Sequence, residues 1–339
     1  NPECSCAPYA HEYTQGKFND YDAVLEFGRN VDLITIEIEN VNTDALRKLR
    51  EEGKVVHPSP EVIEIIKDKG KQKTFYKEKN LKTSDFVILD SLDVLKEKMQ
   101  SGEVNPPFVQ KLCTEGYDGR GVAVIKNEKD LNKLLDGRCV IEPVVDIDKE
   151  ISVLLSRKES GEINIFPPVE MEFDPESNLV DMILAPARID NDIANKAMEL
   201  GKGVIEGLGL VGVMAVEMFL TKSGDLLINE TAPRPHNSGH QTIEGNNTSQ
   251  FEQHLRAISG MELGDTSGKG FAVMVNLLGE AGHSGPKRIL GEELVENEEN
   301  AFLHDYHKKM TRPGRKMGHI TVVDEEREKA MSKALKLQS

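Results

Sequence analysis

Two apolar stretches, GVMAVEMFL at 212–220 and LLINE at 226–230, flank a short polar segment around Ser223 and Gly224, and they constrain this 339-residue chain more than any other feature. Apolar, partly β-branched runs of this length, parted by a serine–glycine turn, predict a β-hairpin. The hairpin carries Glu217 in its first arm and Glu230 in its second, which brings two carboxylates onto adjacent strands at one face. Their flanks (Met214, Ala215 and Val216; Leu227 and Ile228) put both at the edge of a core, where a carboxylate needs a partner. Two convergent carboxylates without a histidine ligand suit a hard cation such as Mg2+, which keeps water and bridges nucleotide phosphates. Two unrelated surface glutamates are the plainer alternative, and burial and spacing disfavour it.

Immediately downstream, PRPHNSGH (233–240) crowds Arg234, His236, Asn237 and His240 into one short loop. An arginine fork binds planar oxyanions, so bicarbonate or a carboxyl phosphate would fit there. A second loop, EGYDGRG (115–121), has Gly116, Gly119 and Gly121 between two expected strands, 107–111 and 122–125. Glycines let backbone amides approach phosphate oxygens. Lys111 precedes this loop, and Tyr117, Asp118 and Arg120 supply its polar tips. Walker and strand-linked G-x-G-x-x-G patterns are absent, which argues against P-loop and Rossmann nucleotide sites.

The remaining pattern is α/β. DLITIEIE (32–39) reads as a buried strand ending in polar Glu39 and Asn40, followed by a helix over 42–52 capped by Thr43 and a short strand at 55–57. Such alternation predicts a parallel sheet. Residues 60–80 are helical and lysine-rich; 138–143, 150–156 and 163–167 look like strands of one antiparallel layer. An amphipathic helix spans 193–208 and stops at Gly209, another spans 250–258, and FAVMVNLL (271–278) opens a smaller C-terminal unit.

A formal net charge of −16 argues against generic binding to nucleic acid or anionic membranes. Anionic substrates would then need local basic groups. Lys67, Lys69, Lys71 and Lys73 form one, read as a solvated helix face; Lys308, Lys309, Arg312, Arg315 and Lys316 form another, shaped by Pro313 and Gly314. Four cysteines do not make a disulfide framework in a chain this long, and a reduced, cytoplasmic setting follows. No apolar run approaches the roughly 20 residues of a membrane span.

In this order, IENV (38–41), YDGRG (117–121), INETAPR (228–234), HNSGH (236–240) and RPGRKMGH (312–319) resemble the N5-carboxyaminoimidazole ribonucleotide synthetase family of the ATP-grasp superfamily. The resemblance covers essentially the whole chain. It implies an ATP-grasp fold in four parts: an N-terminal α/β subdomain (1–70), a small lobe (71–150), a large lobe (151–265) and a C-terminal subdomain (266–339). It implies a two-stage reaction in which ATP phosphorylates bicarbonate, and the resulting carboxyphosphate carboxylates the amine of 5-aminoimidazole ribonucleotide. By the same resemblance Lys69 and Lys111 contact ATP phosphates, Glu142 the adenine side and Glu150 the ribose, and Val145 is a further ATP-binding residue. Gly116, Tyr117, Gly119, Gly121 and Asn229 line the nucleotide, while Glu217 and Glu230 hold Mg2+. Arg234, His236 and Asn237 hold the activated bicarbonate; Glu39, Tyr117, Asp118 and Arg120 position the aminoimidazole, with Asp118 handling a proton. Lys308 and Arg315 bind the 5′-phosphate, and the chain is a homodimer, with neither nucleic acid nor membrane as partner.

Two departures stand out. The family's opening strand and G-x-G-Q-L turn have no counterpart here, so an N-terminal piece is expected to be missing; and Phe173 stands where relatives often carry a histidine near the nucleotide. The rival readings are a formate-dependent glycinamide ribonucleotide transformylase and a non-catalytic nucleotide-binding module. YDGRG combined with HNSGH favours the carboxylating enzyme over the first, and retention of Glu217, Glu230 and Arg234 favours catalysis over the second.

Overall fold

The computed structural model describes residues 4–114, 121–174, 179–289 and 291–338. Its first unit contains α1 (Tyr21–Arg29), β1 (Leu33–Ile34), α2 (Thr43–Glu51) and β2 (Val55–Val56), with β1 and β2 parallel. The strand expected over 32–39 therefore shortens to two residues, because its ladder extends only as far as β2 accompanies it. Ile36 is nonetheless buried, packed with Leu25, Leu46, Leu49 and Ile63. The cap of α2 is Asn42 rather than Thr43: its side-chain oxygen accepts from the Ala45 N–H at 2.9 Å, while the Thr43 hydroxyl donates to Glu64. The lysine-rich stretch divides into α3 (Pro60–Ile66) and α4 (Lys69–Glu78), the second capped by Asp68.

Next come β3 (Val87–Leu89), α5 (Leu92–Gln100), β4 (Phe108–Leu112), β5 (Val122–Ile125) and β6 (Cys139–Pro143). The strands form an antiparallel sheet in the order β3-β6-β4-β5. Here the expected single layer over 138–167 needs correction. β6 belongs to this small sheet, and the chain crosses to a different sheet at residues 144–146.

That larger sheet begins with β7 (Ile147–Arg157), β8 (Ile163–Ile165), β9 (Val169–Phe173) and β10 (Val180–Ala185), followed by α6 (Asn191–Leu208). Gly209 ends α6 in the left-handed conformation, φ 62°, which a side chain would resist. Then follow β11 (Gly212–Thr221), β12 (Leu226–Ala232), α7 (Thr242–Gly245), α8 (Gln250–Ile258) and β13 (Phe271–Leu278). The C-terminal part adds β14 (Gly285–Pro286), α9 (Glu292–Glu296), β15 (Ala301–Asp305), β16 (Met310–Thr311), β17 (Lys316–Asp324) and α10 (Arg327–Gln338). The sheet runs β12-β11-β7-β9-β10-β13-β17-β15, with β8 on β7. It passes without interruption from β10 to β13 through the register Met182↔Val275 to Ala185↔Ala272.

The two apolar segments 212–220 and 271–278 are inner strands of this sheet. Their cover comes from the chain itself: Met214, Val216 and Met218 pack with Val204 and Ile205 of α6, and Val273 and Val275 with Ala330 and Ala334 of α10. Among the described residues no helix is long and apolar enough to cross a membrane.

Candidate active site

The hairpin forms as its sequence requires, with Glu217 and Glu230 as direct cross-strand partners. The register then shifts, Met218 facing Ile228, so β12 accommodates one extra residue, Asn229. A bulge of this kind re-aims side chains locally. Its result is that two successive residues of β12 meet lysines of α4 and β4. Asn229 Oδ1 accepts from Lys111 Nζ of β4 at 2.8 Å, and Glu230 pairs with Lys69 at the start of α4.

Charge explains what each carboxylate does. The Lys69 ammonium holds Glu230 well below the usual carboxylate range. Burial, with Glu230 and Glu150 close by, pushes Glu217 up. Burial also raises Glu150 on β7 to about 7, against the pull of Lys111.

Glu142 is buried at 3% exposure, and its two oxygens are divided between Lys73 at 2.7 Å and Lys111 at 3.0 Å. Its carboxylate is thereby taken. Val145 lies half-buried in the 144–146 crossover, and Gly121 opens the return into β5. Gly116, Tyr117, Asp118, Gly119 and Arg120 lie outside the described residues.

The 233–240 loop closes the other side. Arg234 Nε is 2.9 Å from Glu39, joining two residues singled out from distant parts of the sequence. His236 Nε2 lies 3.5 Å from Glu217 Oε1. Its Nδ1 accepts the Ser238 N–H at 3.3 Å and meets the Ser238 hydroxyl at 2.9 Å, which places the ring proton on Nε2. Burial, then Arg234 and Lys316, pulls this imidazole down to about 3, so it is neutral near pH 7. Asn237 exchanges reciprocal amide bonds with Asn276 of β13, at 2.9 and 3.1 Å.

Among the described residues the two expected phosphate ligands share no hydrogen-bond partner. Lys308 Nζ donates to the Lys316 carbonyl at 2.6 Å and lies 5.3 Å over the Tyr306 ring, whereas Arg315 donates to the Met310 carbonyl at 2.7 Å. Gly314, φ 70°, makes the bend between them that the sequence predicts.

Sequence reasoning missed several members. Lys73 was read as part of a solvated face, yet it is 3% exposed; its spacing of four from Lys69 was the available signal. Fully buried Gln250 of α8 bonds His236 N, His236 O and His240 Nδ1, and nothing in its sequence context marks it. Lys316 acts electrostatically on Glu217, His236 and His240.

Three family models match the chain: a ribonucleotide synthetase preATP-grasp domain over residues 1–67, an ATP-grasp domain over 74–251, and a phosphoribosylaminoimidazole carboxylase C-terminal domain over 272–333. The N5-carboxyaminoimidazole ribonucleotide synthase of Bacillus subtilis is 38% identical over 320 residues, covering 93% of this chain and 81% of that one. The chain belongs to the N5-carboxyaminoimidazole ribonucleotide synthase family. Its members are ATP-grasp ligases of purine biosynthesis that form a C–N bond, and so is this chain. The crystal structure of the Thermotoga maritima synthetase superimposes with a TM-score of 0.85 at 43% identity, covering 95% of this chain and 85% of that one. The Aspergillus clavatus synthase in complex with ADP and 5-aminoimidazole ribonucleotide gives 0.87 at 28% identity, covering 98% and 88%. Within this synthase family the chain keeps Phe173 on β9, half-buried against the apolar cluster of Met171 and Ile183.

Proposed function

We propose that the junction of α4 and β4 with the β11–β12 hairpin is where ATP is spent on bicarbonate, and that the 233–240 loop carries the carboxyl group to the amine. The chain carboxylates 5-aminoimidazole ribonucleotide in an ATP-dependent reaction. The observation that carries the residue assignment is the bulged pair Glu217↔Glu230, with Asn229 and Glu230 meeting Lys111 of β4 and Lys69 of α4.

In this reading Lys69 and Lys111 hold the ATP phosphates, with the loop containing Gly116, Tyr117, Gly119 and Gly121 over them. The Glu142 backbone and Val145 face the adenine, and Glu150 the ribose hydroxyls. Glu217, Glu230 and Asn229 offer oxygen donors only, a hard set that fits Mg2+. The raised Glu217 carboxyl marks a pair in want of positive charge. Bound there, the ion would neutralise phosphate charge.

A bicarbonate oxygen attacks the γ-phosphorus as the bond to ADP breaks, giving carboxyphosphate. The exocyclic amine then attacks the carboxyl carbon, phosphate leaves with its electron pair, and the C–N bond forms as the amine loses a proton. Arg234 presents a fork to the planar oxyanion, and neutral His236 offers Nε2–H toward the same space. Asn237, held by Asn276, completes that side. Glu39, Tyr117, Asp118 and Arg120 position the aminoimidazole, with Asp118 taking the proton; Lys308 and Arg315 bind its 5′-phosphate.

ADP release measured with and without bicarbonate, then with 5-aminoimidazole ribonucleotide, tests the reading. ATP turnover should need bicarbonate and rise with the ribonucleotide. Turnover indifferent to bicarbonate would overturn it. A homodimer and a cytoplasmic setting complete the proposal. The first is checked by light scattering at micromolar concentration, and the second fits the four free thiols Cys4, Cys6, Cys113 and Cys139.

A further inference from the structure

We infer that Lys73 is a positioning residue for nucleotide binding: it occupies one oxygen of Glu142 so that the charge of Lys111 stays available to ATP phosphates. This rests on the reading of Lys111 as a phosphate ligand.

Lys73 lies one helical turn beyond Lys69 on α4, so both face the site. Its ammonium is surrounded by protein oxygens. Glu142 Oε1 is at 2.7 Å, and Nζ donates to Thr83 Oγ1 at 2.7 Å and to Ser84 Oγ at 3.0 Å. An ammonium has three donors, and three neighbours face this one. At 3% exposure it has no opening toward a ligand, so it acts through another group. Burial pulls Lys73 down to about 8 against the opposing pull of Glu142, which leaves it mainly protonated at pH 7.

That other group is Glu142, also 3% exposed, whose second oxygen meets Lys111 at 3.0 Å. Lys111 also reaches Asn229 Oδ1 at 2.8 Å. One carboxylate between two ammoniums leaves one net positive charge. Since Lys73 is enclosed, that charge is expressed at Lys111, which is 12% exposed. Without Lys73, Glu142 would neutralise Lys111 alone and draw it away from the phosphates, since charge in a poorly hydrated site is weakly screened. Thr83 strengthens the placement, because its hydroxyl donates to the Ile228 carbonyl at 2.6 Å, one residue before Asn229. Lys73 is thus tied through Thr83 to the stretch of β12 that Lys111 touches.

Calorimetric titration of ADP in Mg2+ buffer, with thermal unfolding as a check on the fold, tests this without relying on turnover. K111M should weaken ADP binding; if it does not, the phosphate reading of Lys111 fails, and the inference with it. K73M should weaken ADP binding by about tenfold, within the range of couplings seen inside one ion network. In steady state its KM for ATP should rise while that for 5-aminoimidazole ribonucleotide stays put. The deciding variant is K73M/E142Q, which removes one charge of each sign and leaves Lys111 its own. It should bind ADP more tightly than K73M alone. Normal ADP affinity in K73M, or a double variant as weak as the single, would overturn the inference. Should K73M fail to fold, K73Q and K73Q/E142Q are compared in its place, with the same two outcomes.

Discussion

Glu230 has Lys69 on one side and faces Glu217 across the strand pair. Glu230→Gln keeps its shape and removes the charge that pairs with the lysine and, in the proposed function, would hold a cation. Turnover should fall by roughly a hundredfold or more, the scale of losing a preorganised electrostatic group. The rate of ADP formation at saturating ATP checks it, and near-normal turnover would remove Glu230 from the site. Arg315 is judged differently, because its guanidinium rests on the Met310 carbonyl. A charged hydrogen bond to a phosphate is worth about 1.5–3 kcal/mol, so Arg315→Ala should weaken the aminoimidazole ribonucleotide by roughly ten- to a hundredfold. ATP affinity should barely change. Kinetics varying one substrate at a time separates this from a folding defect, which would weaken both.

At the scale of elements, the 233–240 loop owes its shape to α8. Gln250 Oε1 accepts the His236 N–H at 2.8 Å, its amide donates to the His236 carbonyl at 2.8 Å, and Gly239 packs directly against it. A β-carbon on Gly239 would come within 2.4 Å of Gln250 Oε1 and 2.9 Å of Leu154 Cδ2. Gly239→Ala should therefore cost about 1–3 kcal/mol of stability in urea unfolding and lower carboxylation further by displacing His236. An unchanged midpoint with full activity would show that the loop can yield. The hairpin was legible because apolar runs and a turn signal coincide with its two glutamates, and β5, α8 and β13 fall where periodicity puts them. The bulge at Asn229 was not, since a one-residue shift leaves no mark on a hydrophobic pattern. Nor was the burial of Lys73. A lysine every second residue along α4 reads as solvent-facing, and only the approach of β6 from the neighbouring sheet gives Glu142 to two of the ammoniums that helix and sheet bring together.

For the whole molecule, the order of motifs was enough to anticipate an ATP-grasp architecture, whereas the path of the large sheet was not. Strand pairing between segments far apart in sequence depends on shape, and the 138–143 strand looks the same whichever sheet receives it. One ion network in that sheet carries a pH signature away from the site. Burial raises Glu170 of β9, but hydrogen bonds from Arg188 and Lys149 outweigh it and hold the carboxyl below its ordinary 4.5. A carboxylate depressed in the folded state contributes stability above its unfolded pKa and loses it as pH falls through the folded value. Glu170→Gln should lower Tm by about 2–4 °C at pH 7, with the gap to the unmodified chain closing as pH drops below roughly 4. A gap of constant size from pH 7 to pH 3 would rule out the linkage.

The seam between β10 and β13 has a further consequence. β10 has β9 on one side, and the other is covered by a strand that lies beyond α6, the hairpin and α8 in sequence. Until β13 arrives, β10 is an open edge whose free N–H and C=O groups can recruit a strand from another copy. A chain severed before β13 would keep β10 as an open edge of the remaining sheet and should associate with itself more readily.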